Sequence, residues 1–315
     1  MTTSMVETFE AERDRLFGVA YRLLGSVSDT EDVLQEAYLR WADQAGRTID
    51  NPAAFLTTVV SRLALDRLRS ARHRREQYVG PWLPEPVEAA PGPDDDVVLA
   101  ESLTLGFLAV MERLGPVERA VFVLHDVFAV PYAEIAAVVD RSESTCRQIA
   151  RRARSRVQAE GPAAGARGRV VTGVGEVGGL GLGAGAAAGT TAGVGAEQEA
   201  LLSAFLAAVL GGDVVGLERL LAADVVHLSD GGADHHAARR PVVGRDRVAR
   251  FFVNLAKRSP EDAVPELVML NGDPSILVTV DGAPRLTLTM AVEDGLITRV
   301  WAMVNPDKIT HLRRS

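Results

Sequence analysis

Thirteen glycines fall within residues 161–196, a run of 36 with almost no large side chain, and no other feature limits this chain's fold so strongly. A glycine-rich segment without apolar anchors has little to bury and much conformational entropy to lose, so it reads as a tether between parts that each need a core of their own. The expected hinge covers residues 159–196. A membrane span over residues 177–196 is the rival reading, because those residues carry no charge and Gly181, Gly185, Gly189 and Gly193 recur at small-xxx-small spacing. Only Val177, Leu180, Leu182 and Val194 there are strongly apolar, so the drive to insert is small and no membrane association is expected. The start, MTTSMVETFEAERDRLF, lacks the basic and apolar regions of a secretory signal, and Cys146 stands alone. A single cysteine excludes a disulfide framework and any cysteine-based zinc site, and a reducing, cytoplasmic home is expected, with no metal and no cofactor.

The formal charge of −8 argues against nucleic acid until the chain is divided. Residues 7–36 are acidic, net −5. Residues 61–76 reverse the sign to +4 through Arg62, Arg67, Arg69, Arg72, Arg74 and Arg75. Residues 80–101 hold six acids and no base, and residues 141–158 return to +5. Two compact arginine-rich elements on an acidic chain read as two phosphate-contacting surfaces, since each neutralised phosphate releases counterions; solvated helix faces are the alternative.

Apolar residues recur at helical spacing through Leu16, Phe17, Ala20, Tyr21 and Leu24, and again through Val33, Ala37, Leu39 and Trp41. The break between them, residues 25–29, offers Ser28 with Glu31 as a helix start. Asp50-Asn51-Pro52 then precedes a third helix, residues 53–76, whose cationic last turns suit the helix dipole. Five prolines in residues 80–95 mark a linker, in which the apolar Trp82-Leu83-Pro84 is out of place. A second helical block covers residues 97–158. Within it, Tyr132, Ile135, Ala136 and Val139 mark one buried face, Asp140-Arg141 a turn, and Ser142 or Ser144 the cap of a second helix with Cys146 and Ile149 inward. That is helix-turn-helix spacing, with an ordinary helical hairpin as the alternative. In a major groove the second helix would present Ser144, Thr145, Arg147, Gln148, Arg151 and Arg152, arginine suiting guanine and glutamine adenine.

SDTEDVLQEAYLRW, DNPAAFLTTVVSRLALDRLRSARHRR and this helix-turn-helix, in one order, make the chain resemble a bacterial extracytoplasmic-function RNA polymerase sigma factor of the sigma-70 family. The resemblance implies promoter-specific transcription initiation with core RNA polymerase and promoter DNA as partners, and no catalytic residues. It implies a polymerase-docking face at Asp29, Glu31, Asp32, Gln35 and Glu36, where acids suit a basic partner. It implies minus-10 recognition by Asp50 and Asn51, which offer a polar pocket for a flipped base, and by the six arginines of residues 62–75 along the strand; Asp66 with Arg69 also reads as a plain i,i+3 pair. The helix-turn-helix side chains would then read the minus-35 element. The family usually has glycine at the turn and a branched apolar residue under the recognition helix, where Asp140 and Cys146 stand here.

From Glu197 the chain becomes globular again: helical spacing through Leu201–Leu221 and Val248–Leu255, then strand-like runs at 266–270, 275–280, 285–292 and 296–304 separated by Asn271-Gly272, Asp281-Gly282 and Asp294-Gly295. This α+β half resembles a SnoaL-like domain, a cone of sheet and helices with room for a small ligand. His227, Asp230, Asp234, His235 and His236 offer an acid–base pair on paper, but fold alone licenses no activity. The sigma factors fused to such a domain carry short signatures that appear here as WLPEP (Trp82, Leu83, Pro84, Glu85, Pro86), DGG (Asp230, Gly231, Gly232) and NPDK (Asn305, Pro306, Asp307, Lys308); after DGG the usual Gly-Lys is replaced by Ala233-Asp234. The linker aromatic is expected to anchor on the other two motifs, regulating the sigma regions in cis. The expected architecture is thus multidomain: two all-α sigma domains (7–76, and 97–158 with the helix-turn-helix), a linker (77–96), the hinge (159–196) and an α+β SnoaL-like cone (197–315). A ligand-sensing helix-turn-helix regulator, or a cyclase- or isomerase-type enzyme with a DNA-binding appendage, are the rival readings.

Overall fold

A computed structural model describes residues 5–76, 78–88, 104–160, 188–233 and 237–312, with the side chains of 72–74, 76, 160 and 188–196 outside the description. Three helices come first: α1 (Met5–Leu24), α2 (Val27–Ala42) and α3 (Pro52–Glu76). The break between α1 and α2 lies where expected, but Ser26 is the cap, its Oγ accepting from the Asp29 amide at 3.2 Å. Ser26 lies one residue before the helix in extended backbone, as a cap requires, whereas Ser28 is already helical. Proline opens α3, where its missing N–H costs nothing.

The second helical unit comprises α4 (Leu105–Met111), α5 (Pro116–Phe122), a π-helical turn at Val123–Val127, α6 (Tyr132–Val139) and α7 (Glu143–Glu160). Asp140 caps α6 in the left-handed region at φ +54°, doing the work of a turn glycine, and Ser142 Oγ accepts from the Thr145 amide to start α7. Cys146 is fully buried beneath α7. The two helical units share one hydrophobic core: Leu16, Leu56 and Val60 of the first lie in the same cluster as Val121, Ile135 and Cys146 of the second.

The carboxy-terminal half begins with α8 (Ala188–Leu210), which starts inside the segment expected as a hinge; no proline interrupts residues 188–210, so the helix that carries Leu202 and Phe205 extends back through them. Then come α9 (Val214–Leu220), β1 (Leu221–Asp230), β2 (Val242–Val243), α10 (Arg245–Ala256), β3 (Val264–Leu270), β4 (Asp273–Val280), β5 (Ala283–Glu293), β6 (Leu296–Met303) and α11 (Pro306–Ile309). The sheet order is β2-β1-β6-β5-β4-β3, antiparallel except between β1 and β6. Strand β1 is not among the strand-like runs of the sequence; its parallel pairing with β6, far along the chain, is what makes it a strand. The three turns expected after β3, β4 and β5 have positive φ at both residues, as tight hairpins require.

The sheet has two apolar faces. Val225, Ile276, Met290 and Val300 pack under α8, α9 and α10. On the opposite face Leu277, Trp301 and Met303 cluster with Leu83 of the linker and Leu105 of α4. The carboxy-terminal sheet therefore packs its second face against the rest of the chain.

Candidate nucleic-acid interface and interdomain anchor

The recognition helix α7 is open where it was expected to read DNA. Ser144, Arg147, Gln148, Arg151 and Arg152 are exposed and Thr145 half-buried, while Ile149, Ala150 and Ala153 face the core. Arg147 pairs with Glu143 at 2.8 Å and lies over the Tyr132 ring, a local posture that an exposed arginine leaves at small cost.

The expected minus-10 residues are differently disposed. Asp50 and Asn51 are exposed in the loop before α3, and Asn51 Oδ1 caps that helix by accepting from Ala54 at 3.0 Å. Arg62 donates to the Ala137 carbonyl of α6 at 2.8 Å, so the second helical unit sits across part of α3. Arg67 bridges Asp29 (2.8 Å) and Asp32, tying one expected strand-tracking cation to two of the expected polymerase-docking acids. Arg69 makes the plain pair with Asp66 at 3.0 Å. The Arg72 and Arg74 side chains lie outside the described residues. On the docking face Gln35 and Glu36 are exposed, Glu36 with Arg40, and Glu31 meets Arg13 of α1.

Arg75 points inward. It donates to the Leu24 carbonyl and pairs with Glu112, which also holds the buried Arg119 of α5; Arg119 Nε in turn donates to the Arg22 carbonyl at 3.0 Å. Burial lowers the Arg75 pKa, with Glu112 opposing. This chain of groups stitches α1 and α3 to α4 and α5 through charges withdrawn from water.

The linker runs over Gly25, whose φ of +65° and missing Cβ let the indole of Trp82 approach; a Cβ there would lie 2.9 Å from the ring. Arg75 covers the indole at 3.4 Å from its centroid and Lys308 Nζ lies 4.0 Å away. Glu85 belongs to the first helical unit: its amide donates to Gly25, and its carboxylate accepts from the Val27 amide at 2.6 Å, at the start of α2. A cavity of about 210 Å³ remains between α3 and the linker, lined by Asp29, Arg75, Tyr78 and Trp82 among others.

Asp230, fully buried at the end of β1, is the centre of the anchor. Its carboxylate accepts from Tyr78 Oη (2.6 Å), the Leu83 amide (2.7 Å), Lys308 Nζ (2.8 Å) and the Gly232 amide (3.2 Å), so each lone pair of a buried charge is used. Lys308 also donates to the Leu83 carbonyl at 2.7 Å; burial lowers its pKa while Asp230 pulls it up. Asn305 donates to Tyr78 Oη at 3.0 Å and caps α11 at Asp307. Burial, then the bond to Asp230, raises the Tyr78 pKa. Thus Trp82, Leu83, Asp230, Gly232, Asn305 and Lys308 come together as the three motifs imply. Asp307 stays exposed, and Pro86 contributes its carbonyl, which accepts from His311 Nε2 at 2.7 Å. Tyr78, Gly25 and His311 were missed; only the place of Tyr78 beside the WLPEP run hinted at it.

No acid–base pair forms from His227 and Asp230. Three apart on β1, they face opposite sides of the sheet. His227 donates from Nδ1 to the Val300 carbonyl at 3.2 Å and packs on Phe251 and Phe252, where burial pushes its pKa down to about 4. Asp234, His235 and His236 lie outside the described residues. Among the described residues no cluster of His, Cys, Asp and Glu could hold a metal, and no helix is long and apolar enough to cross a membrane.

The family model for Sigma-70 region 2 matches residues 8–74 and that for Sigma-70 region 4 matches residues 105–157. The ECF RNA polymerase sigma factor SigJ of Mycobacterium tuberculosis is 41% identical, covering 97% of this chain and 93% of that protein. A probable ECF RNA polymerase sigma factor of the same species, SigI, is 33% identical over 97% and 94%. The crystal structure of Mycobacterium tuberculosis SigJ superposes with a TM-score of 0.70 at 36% identity, covering 97% of this chain and 98% of that one.

Proposed function

We propose, from the premise that the chain belongs to the extracytoplasmic-function sigma factors of the sigma-70 family and directs RNA polymerase to promoters, that its carboxy-terminal half regulates initiation in cis by gripping the linker between its two sigma regions. In this reading residues 7–76 dock on core polymerase and open the minus-10 element, residues 97–158 read the minus-35 element, and residues 197–315 are the regulator. The observation that carries it is the buried ion pair of Asp230 with Lys308, closed around the Leu83 main chain on both its N–H and its C=O. A linker held so tightly sets where the two DNA-reading units lie relative to each other. The packing of α6 on α3, with Arg62 on Ala137, belongs to a resting state that gives way when both units engage the promoter. Such a protein works in the cytoplasm, beside polymerase and DNA.

The test is transcription in vitro by core polymerase from a genomic promoter library, with the full chain and with Trp82→Ala. Transcripts that depend on the protein and change in amount with Trp82→Ala support the reading. Equal output from both, with the variant folded, overturns regulation through the linker.

A further inference from the structure

The Asn271-Gly272 turn between β3 and β4 differs from its two counterparts in the same sheet. All three have positive φ at both residues, 54° and 78° here against 51° and 70° at Asp281-Gly282 and 50° and 72° at Asp294-Gly295. The latter two are exposed, whereas Asn271 is 1% exposed. Aspartate and asparagine both tolerate the left-handed conformation, so turn geometry does not explain the amide. Its partners do.

The Asn271 amide N–H donates to the Val87 carbonyl at 2.8 Å, and its side-chain oxygen accepts from the Val87 amide at 3.2 Å. Its Nδ2 donates to Tyr21 Oη at 2.8 Å, and Tyr21 Oη in turn donates to the Glu85 carbonyl. Two residues on, Asp273 accepts from the Leu105 amide at the start of α4, and Leu270 and Leu277 pack with Leu105 and Leu83. One turn of the carboxy-terminal half thus touches α1, the linker and α4, and shares none of the polar groups of the Asp230 anchor. An aspartate at position 271 would keep the turn and the acceptor but could not donate to Tyr21.

Resting on the reading of cis regulation above, we propose that the β3–β4 turn is a second docking element, which clamps region 2, the linker and region 4 together independently of the Asp230–Lys308 anchor, with Asn271 as its positioning residue.

Amide hydrogen exchange on the full chain tests it, comparing wild type with Asn271→Asp, Tyr21→Phe and Lys308→Met. Asn271→Asp is expected to speed exchange at least tenfold at Val87 and across residues 105–111, with β5 and β6 still protected. Tyr21→Phe is expected to reproduce the effect at Val87, and the double variant to add little. Unchanged exchange at Val87 and residues 105–111 in Asn271→Asp overturns the clamp, as does the same pattern of loosening from Lys308→Met, which would make the two anchors one. Transcription in vitro with the same variants separates this from the broader reading: faster exchange with unchanged transcription in both Asn271→Asp and Lys308→Met leaves the clamp standing and overturns cis regulation.

Discussion

The guanidinium of Arg75 lies 3.4 Å from the centroid of the Trp82 indole, so the last arginine of a basic helix that should face DNA is covered by the linker. The side chain is 14% exposed and is shared between the Leu24 carbonyl, Glu112 and the ring. Its contacts couple three parts of the chain: α3 supplies the cation, the linker the aromatic, and Glu112, which follows α4, the carboxylate. Withdrawing Arg75 to meet a phosphate would therefore break the linker's seat and the contact with region 4 in one movement.

The seat depends on Gly25. Gly25→Ala places a Cβ 2.9 Å from the Trp82 ring in a left-handed backbone that costs about 1–2 kcal/mol for a residue with a side chain. The linker should lift, seen as increased solvent exposure of Trp82 fluorescence, and promoter output in vitro should change in the same direction as with Trp82→Ala. Unchanged fluorescence would mean the indole is held without Gly25.

Lys308→Met leaves the Asp230 carboxylate buried with three neutral donors. Breaking a buried pair from one side costs about 3–5 kcal/mol. Chemical denaturation of the full chain should show a loss of that order in the transition that reports on the carboxy-terminal half, and the double variant with Asp230→Asn should recover part of it.

On α7, Arg151 is exposed, whereas Cys146 and Ala150 are buried. Arg151→Ala should weaken holoenzyme binding to a minus-35 fragment and, where the contact is to phosphate, lower the slope of log affinity against log salt by about one. A loss confined to one base position would instead assign it a base contact.

Asp140 stands at φ +54° where glycine is less strained. Asp140→Gly should stabilise region 4 by about 0.5–1 kcal/mol, and Asp140→Val should destabilise it by more, both read from thermal unfolding.

His227 has its pKa lowered from 6.5 to about 4 by burial. The unfolded chain therefore binds the extra proton first, so the neutral imidazole contributes stability that is full above pH 6.5 and is lost as the pH falls towards 4, on the order of 3 kcal/mol in total. The difference in unfolding free energy between wild type and His227→Phe should shrink or change sign across that window. A constant difference would show that His227 does not titrate on unfolding.

The basic and acidic blocks, the helix-turn-helix and the hairpin turns were legible because each depends on residues close together in the chain. Cys146 and Ile149 fall inward and Arg147 and Arg151 outward by helical period alone. The three short motifs named most of the anchor for a different reason, a resemblance rather than a spacing; residues 83, 230 and 308 share no local pattern. What escaped was Asn271, since an Asn-Gly hairpin reads the same whether the turn is in water or against Tyr21. Strand β1 escaped likewise, because its identity depends on β6.

The sequence by itself determined the elements and their chemistry: amphipathic periods, caps, turn residues and segregated charge are short-range properties that survive in any packing. Only the tertiary structure decided which charges remain free for partners. Arg75, Arg67 and Arg62 are alike in the sequence, yet one is buried against Trp82, one is paired with Asp29 and Asp32, and one is bonded to Ala137. For Arg75 the physical reason is desolvation offset by partners, since neighbours from far along the chain remove its water and supply its hydrogen bonds; Arg67 and Arg62 keep much of their water and are held by their bonding partners alone.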